Sequence, residues 1–234
     1  MPLSSLPLLV LAVAPVLGLD TPEFTRSWKG QRSEGLEGVR ARVTCRAYAT
    51  FSIVEENDPG LRGAKSIVVR DRPPTMLAAR ACAELFHTPS RKLERADVSV
   101  EGALGPWVVL RSADGAGGAV DLILIEAATG NVVAEVPRFA SASPRFVRSK
   151  KKAALEFHTA LAVACPLVDG CDRAALTNAG VPATLQVRLD LSGCRSPELE
   201  DASPRIFVPA RIDDIEHPTE PVFRAGTAYC VFAE

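Results

Sequence analysis

The sequence is poor in the residues that usually carry catalysis. It has three histidines, two tyrosines and two tryptophans in 234 residues, and aromatics make up only 6%. His87, His158 and His217 lie far apart and have no local partners. Neither Gly-x-Ser-x-Gly nor His-Glu-x-x-His occurs, so the familiar serine-hydrolase and zinc-protease signatures are missing. Lysine is confined to positions 29, 65, 92 and 150–152. The formal net charge is −1. Without a global field, neither nucleic acid nor an anionic surface is implied as a partner. No Asn-x-Ser/Thr acceptor exists, because Asn57, Asn131 and Asn178 all lack the hydroxyl residue. No repeat recurs at solenoid or propeller spacing.

An apolar content of 47% suits a packed core and excludes a disordered chain. The apolar residues of the first segment include Leu3, Leu6, Leu8, Leu9, Val10, Leu11, Val13, Val16 and Leu17. Residues 1–18 read as a signal peptide cleaved before Leu19, with the small Gly18 at the cleavage site. Pro7 and Pro15 break a helix there, and a membrane span needs about 20 apolar residues. The mature chain is therefore expected to be secreted or periplasmic, with no stable membrane span.

Six cysteines, Cys45, Cys82, Cys165, Cys171, Cys194 and Cys230, fit an oxidising compartment. Their spacing lacks the paired C-x2-C pattern of a zinc site. Six cysteines admit fifteen pairings, and two placements guide a choice. Residues 42–54 alternate strictly, with Val43, Cys45, Ala47, Ala49, Phe51 and Ile53 on one side, which reads as a half-buried strand. Asn57-Asp58-Pro59-Gly60 reads as a turn, and residues 66–70 as the returning antiparallel partner. Leu77, Ala78, Ala81, Cys82, Leu85 and Phe86 then recur at helical spacing. Cys45 and Cys82 are the two cysteines of the first half and both sit on inward faces, so a bridge between them is expected. Residues 20–38 read as a polar arm tethered by Phe24 and Trp28.

Short strands are expected near residues 96–100, 107–111, 120–126 and 132–136. Leu122, Ile123, Leu124 and Ile125 make the third apolar on both faces, hence central. Residues 137–144 read as a linker and 149–163 as a second helix, with Ala154, Phe157, His158, Leu161, Ala162 and Cys165 on one stripe. Further strands are expected at 184–191, 205–208 and 227–232. The fold class so read is α+β, a mainly antiparallel sheet with two helices, stabilised by disulfides. The divisions are residues 1–18 as signal, 19–140 as an α+β domain of hairpin, helix and β-meander, and 145–234 as a helix with a Cys-rich, β-containing domain.

Three local groupings invite a chemical reading. Residues 115–118 are glycine-rich, but a phosphate loop would open a helix and here a strand follows, so a hairpin loop is expected. Asp213, Asp214, Glu216, His217 and Glu220 offer oxygen ligands, yet their spacing matches no calcium loop, and a solvated loop is expected. Arg145, Arg148 and Lys150, Lys151 and Lys152 form a basic run, read as a solvated segment. No catalytic residue, cofactor-binding residue, metal ligand or cofactor is assigned.

Residues 75–136 give a helix followed by strands and close on Ile123-Leu124-Ile125-Glu126-Ala127-Ala128-Thr129-Gly130-Asn131-Val132-Val133. This order and string resemble a PepSY-type domain, over about a quarter of the chain. The resemblance implies an exported module of a kind fused in several cases to secreted peptidases and thought to restrain them. It carries no catalytic residues. The function expected is a non-enzymatic binding or inhibitory module acting on another secreted or envelope protein. The alternatives are a secreted hydrolase whose site assembles from distant residues around His158 or His217, and a structural envelope protein.

Overall fold

The computed structural model describes residues 16–17, 19–33, 36–83, 90–95, 97–112, 119–139, 141–148, 152–161, 173–190, 192, 205–218 and 220–231. Among these, 58% are strand and 8% helical. The strands in chain order are β1 (Val16–Leu17), β2 (Phe24–Arg32), β3 (Arg40–Ala47), β4 (Phe51–Asn57), β5 (Ala64–Asp71), β6 (Ser90–Leu93), β7 (Val98–Leu104) and β8 (Trp107–Ser112). They continue with β9 (Ala119–Glu126), β10 (Val132–Phe139), β11 (Arg145–Arg148), β12 (Ala153–Leu161), β13 (Val187–Asp190), β14 (Arg205–Ile212), β15 (Val222–Phe223) and β16 (Gly226–Val231). Two six-residue helices, α1 (Ala78–Ala83) and α2 (Arg173–Asn178), interrupt them.

This overturns the expected α+β class: the protein is mostly β. The stretch expected to form the second helix is where the reading failed. Its described part holds β12, which is paired on one side with β11 and on the other with β14. Ala153, Leu155, Phe157 and Leu161 are buried, a spacing of two that the helical stripe concealed. Alanine-rich segments favour helix intrinsically by only tenths of a kcal/mol per residue, and two flanking ladders outweigh that. The expected strand over 42–54 is likewise two strands. The chain reverses at Tyr48–Thr50, closed by a Tyr48 N–H to Phe51 carbonyl bond of 2.8 Å. The polar arm is in fact β2, and Phe24 and Trp28 do pack against the core.

The strands form two sheets. The smaller runs β2-β3-β4-β5-β6, all antiparallel. The larger follows the path β13-β16-β14-β12-β10-β9-β8-β7, with β11, β1 and β15 joined at its sides. It is antiparallel except for β13 against β16. Strands on both sides of residues 137–144 belong to this one sheet, since β10 meets β12 at Arg138 and Thr159.

Packing explains the arrangement. One face of the meander β7–β10 presents Val98, Val100, Val108, Leu110, Ile123 and Ile125 to Phe51, Ile53, Ile67 and Val69 of the smaller sheet. The other face presents Trp107, Val109, Leu122 and Leu124 to Phe146, Leu155, Phe157 and Ile212 of the same large sheet. The large sheet thus bends at the β10–β12 junction and folds over its own meander, giving three layers. β9 is central and apolar on both faces, as its sequence predicts. Its turn into β10 works through Gly130, at φ 81°, whose N–H reaches the Glu126 carbonyl at 2.8 Å. Such a φ suits glycine.

On the outer side of the small sheet, α1 lays Ala81 and Cys82 on Val43, Cys45, Ala47 and Val54. The expected Cys45–Cys82 bridge is present there, with Cα atoms 5.8 Å apart. Cys230 is also disulfide-bonded. Cys165, Cys171 and Cys194 lie outside the described residues.

Polar groups tie the layers together at a bulge in β7. The pairing with β8 shifts between Val100 and Gly102, leaving Glu101 as the extra residue. The Val100 N–H donates to Glu55 Oε1 on β4 at 2.8 Å, and Arg46 Nη1 donates to Glu55 Oε2 at 2.8 Å. Glu101 in turn accepts from buried Arg138 of β10. Bulges re-aim backbone groups in this way. After β1 on β11, Leu19 lies against Gly102, and the Asp20 N–H bonds the Ala103 carbonyl at 2.8 Å.

Candidate functional site

The outer face of β12, β14 and β16 forms a cleft of about 700 Å³. That volume lies in the range of small-molecule and side-chain pockets. Alternation along the strands places Glu156 and His158 of β12 beside Arg211 and Pro209 of β14, their ladder partners. Tyr229 pairs with Phe207, and Phe139 of β10 stacks on Phe207 with ring centroids 4.9 Å apart. Tyr229 lies 5.9 Å from Phe139 and 5.2 Å from His158. Of these rings Tyr229 and His158 line the cleft, together with Phe223 of β15, while Phe139 and the fully buried Phe207 back Tyr229. Arg145, Arg211 and Arg224 stand around the cleft.

The charges at the rim are mostly engaged with each other. Arg211 bonds Glu156 at 3.0 Å and Asp213 at 2.7 Å, and Arg224 reaches Asp213 at 3.2 Å. Arg145 stands opposite Glu156 across the β11–β12 ladder. Three guanidinium groups against two carboxylates leave the rim positive. Exposed pairs of this kind hold side chains in place more than they stabilise the fold.

His158 is half-buried, and its Nε2 lies 3.2 Å from the Thr227 carbonyl. A carbonyl only accepts, so Nε2 carries the hydrogen and Nδ1 keeps its lone pair. Burial pushes the His158 pKa below the ordinary value of 6.5, with the Thr227 bond opposing in part. The folded state therefore keeps the ring neutral where an unfolded chain would take up a proton. The stability that follows is fully present above about pH 6.5 and is lost as pH falls toward the depressed folded value. Denaturant melts at pH 5 and 7 should show this fall, bounded by one proton, and His158→Gln should flatten it. An unchanged slope in the variant would remove His158 as the source.

Backbone geometry shapes the same cleft. Gly226 has φ 154°, and a Cβ there would lie 2.9 Å from Pro209 Cγ. Pro209 accepts from the Arg224 N–H at 2.8 Å, which fixes the bend between β15 and β16. Gly226→Ala should cost about 1–3 kcal/mol, the usual scale for a forced backbone region. Thermal unfolding would read it, and a melting point equal to that of the unaltered chain would contradict the strain.

The other groups named from the sequence fall elsewhere. His217 is exposed, with Nδ1 3.8 Å from Asp214. Asp214 also holds Lys152 at 2.9 Å and accepts from the Glu216 and His217 N–H groups. The acidic group is thus a self-bonded loop whose Asp213 turns to the arginines. Among the described residues no set of three or more His, Cys, Asp or Glu is placed to hold a metal ion. Arg145 and Arg148 are strand residues of β11. His87, Lys150, Lys151 and residues 115–118 lie outside the described residues.

Tyr229, Phe139, Phe207, Arg211 and Arg224 had no signal in the sequence. They come from different strands, and no local spacing brings them together. What the arrangement offers chemically is recognition: an aromatic surface, a positive rim and a neutral imidazole with one free acceptor. Glu156 is turned to Arg211 and not to His158, so the carboxylate that would orient a catalytic base is engaged elsewhere. Comparison with known protein families, curated proteins and solved structures finds no match to this chain.

Proposed function

We propose that the protein is an exported, non-enzymatic binding or inhibitory module that acts on another secreted or envelope protein. In this reading a segment of the partner, bearing an acidic and an apolar side chain, lies in the cleft over β12, β14 and β16. The observation that carries it is Tyr229, backed by Phe139 and the buried Phe207, in a cleft whose rim carries excess positive charge. Aromatic and arginine side chains are the usual anchors of recognition surfaces. The disulfides are compatible with an extracytoplasmic location. Among the described residues no helix is long and apolar enough to cross a membrane. The resemblance of residues 75–136 to PepSY-type domains supplies the inhibitory form of the proposal.

Immobilised residues 19–234 should capture one stoichiometric protein from the exported proteome of the source cells. A chain with Arg224→Ala and Tyr229→Leu should lose it while keeping its fold. Turnover of a model ester or peptide by the pure protein, abolished by His158→Gln, would replace this reading with the hydrolase.

A further inference from the structure

The second large opening lies at the mouth between the two sheets. It has a volume of about 550 Å³, and Arg40 and Arg42 of β3 and Arg111 of β8 are among the residues that line it. We propose that this mouth binds a small polar ligand carrying a phosphate or sulfate monoester.

The first support is a charge pattern that the fold alone does not explain. Across the β2–β3 ladder Lys29 stands directly opposite Arg42, and Arg32 directly opposite Arg40. Directly opposed like charges destabilise a sheet. All four residues are exposed, and among the described residues none of them makes an ion pair. Arg42 makes no hydrogen bond there either. Arg40 reaches only the Gly30 carbonyl, at 3.5 Å. Arg111 spends its Nε on Ser99 Oγ at 3.3 Å, and among the described residues its terminal nitrogens make no hydrogen bond.

The second support is the lining. Its one carboxylate, Asp58, is 2% exposed and already accepts from the Ser33 hydroxyl and from the Gly60 N–H. One carboxylate against three guanidinium groups leaves the lining net positive. Guanidinium forks match the oxygens of a phosphate or sulfate group in pairs. Asn57, Ser99 and Ser112 complete the walls, and their amide and hydroxyl groups suit a hydroxylated body such as a sugar. A concave site of this volume between two layers fits a monosaccharide-sized ligand, whereas an extended polyanion would need an open face.

Calorimetric titration of the full chain with glucose 6-phosphate, glucose 6-sulfate and glucose, at matched ionic strength, tests the site. Saturable binding of either ester and none of glucose is expected, and the stronger of the two identifies the ester. Arg42→Gln and Arg111→Gln should each weaken binding by roughly tenfold or more, as loss of a charge-assisted contact does. Arg95→Gln, which removes a cation paired to Glu135 away from the mouth, should not. Without ligand, Arg42→Gln should raise the melting temperature, because it relieves the repulsion with Lys29. The proposal is overturned if no ester saturates the protein up to roughly 10 mM, a very weak affinity for such a site. Equal binding of glucose, or unaltered affinity in both arginine variants, would also overturn it.

Discussion

Replacing both Cys45 and Cys82 by alanine should lower the unfolding free energy by about 4 kcal/mol. The bridge closes a loop with a sequence separation of 37 residues, and the chain-entropy relation for such a loop gives that figure. Stability of this size is a large share of what a domain has in total. The two sulfurs also fill the layer between α1 and the outer face of β3, where Cys45 is 0% and Cys82 2% exposed. Alanine leaves a small void there, which adds to the loss. Urea melts would show a lower midpoint together with a steeper m value, because the unlinked unfolded chain exposes more surface. Dithiothreitol should destabilise the unaltered protein at least as much as the double substitution does, because it also reduces the bridge of Cys230. A midpoint insensitive to both substitution and reductant would mean that helix packing, not the bridge, secures this layer.

The second large effect should come from Glu55. It is 2% exposed and joins the two sheets through Arg46 on its own sheet and the Val100 N–H on the other. Glu55→Leu should cost about 4 kcal/mol. It leaves Arg46 without its counter-charge and a buried N–H without an acceptor. Glu55→Gln keeps an oxygen for Val100 and should cost only about 2 kcal/mol, since the loss is then that of the charge. The Arg46 side chain is 25% exposed, so water recovers part of that loss. Adding Arg46→Met to Glu55→Leu should recover at least 1 kcal/mol, roughly the charge share of the penalty. Equal costs for leucine and glutamine would show that the Val100 bond contributes nothing to holding the sheets together.

Local patterns in the sequence were read well wherever one face of a segment meets one environment. Cys45 and Cys82 could be paired because strand alternation and helical spacing each fix a direction for a side chain. β9 could be placed at the centre because Leu122 to Ile125 leave no polar face for water. The Thr129-Gly130 turn declared itself through a residue that tolerates φ above zero. Reading failed where a pattern fitted two periods. Ala154, Phe157, His158 and Leu161 satisfy a helical stripe, and the alternate residues from Ala153 satisfy a strand equally well. The ladders from β11 and β14 settled the matter, and neither is visible in residues 149–163.

By itself, then, the sequence determined antiparallel pairing, the Cys45–Cys82 bridge and the strands of the meander, while the α+β class read from it was wrong for a mostly β protein. These depend on which way each residue points relative to its neighbours in the chain. Only the tertiary structure decided that the large sheet folds over its own meander, that Phe139, His158 and Phe207 gather around Tyr229, and that Arg42 and Arg111 line one mouth. Those are distances between strands remote in sequence, set by how three layers bury their apolar faces together, and no local spacing encodes them.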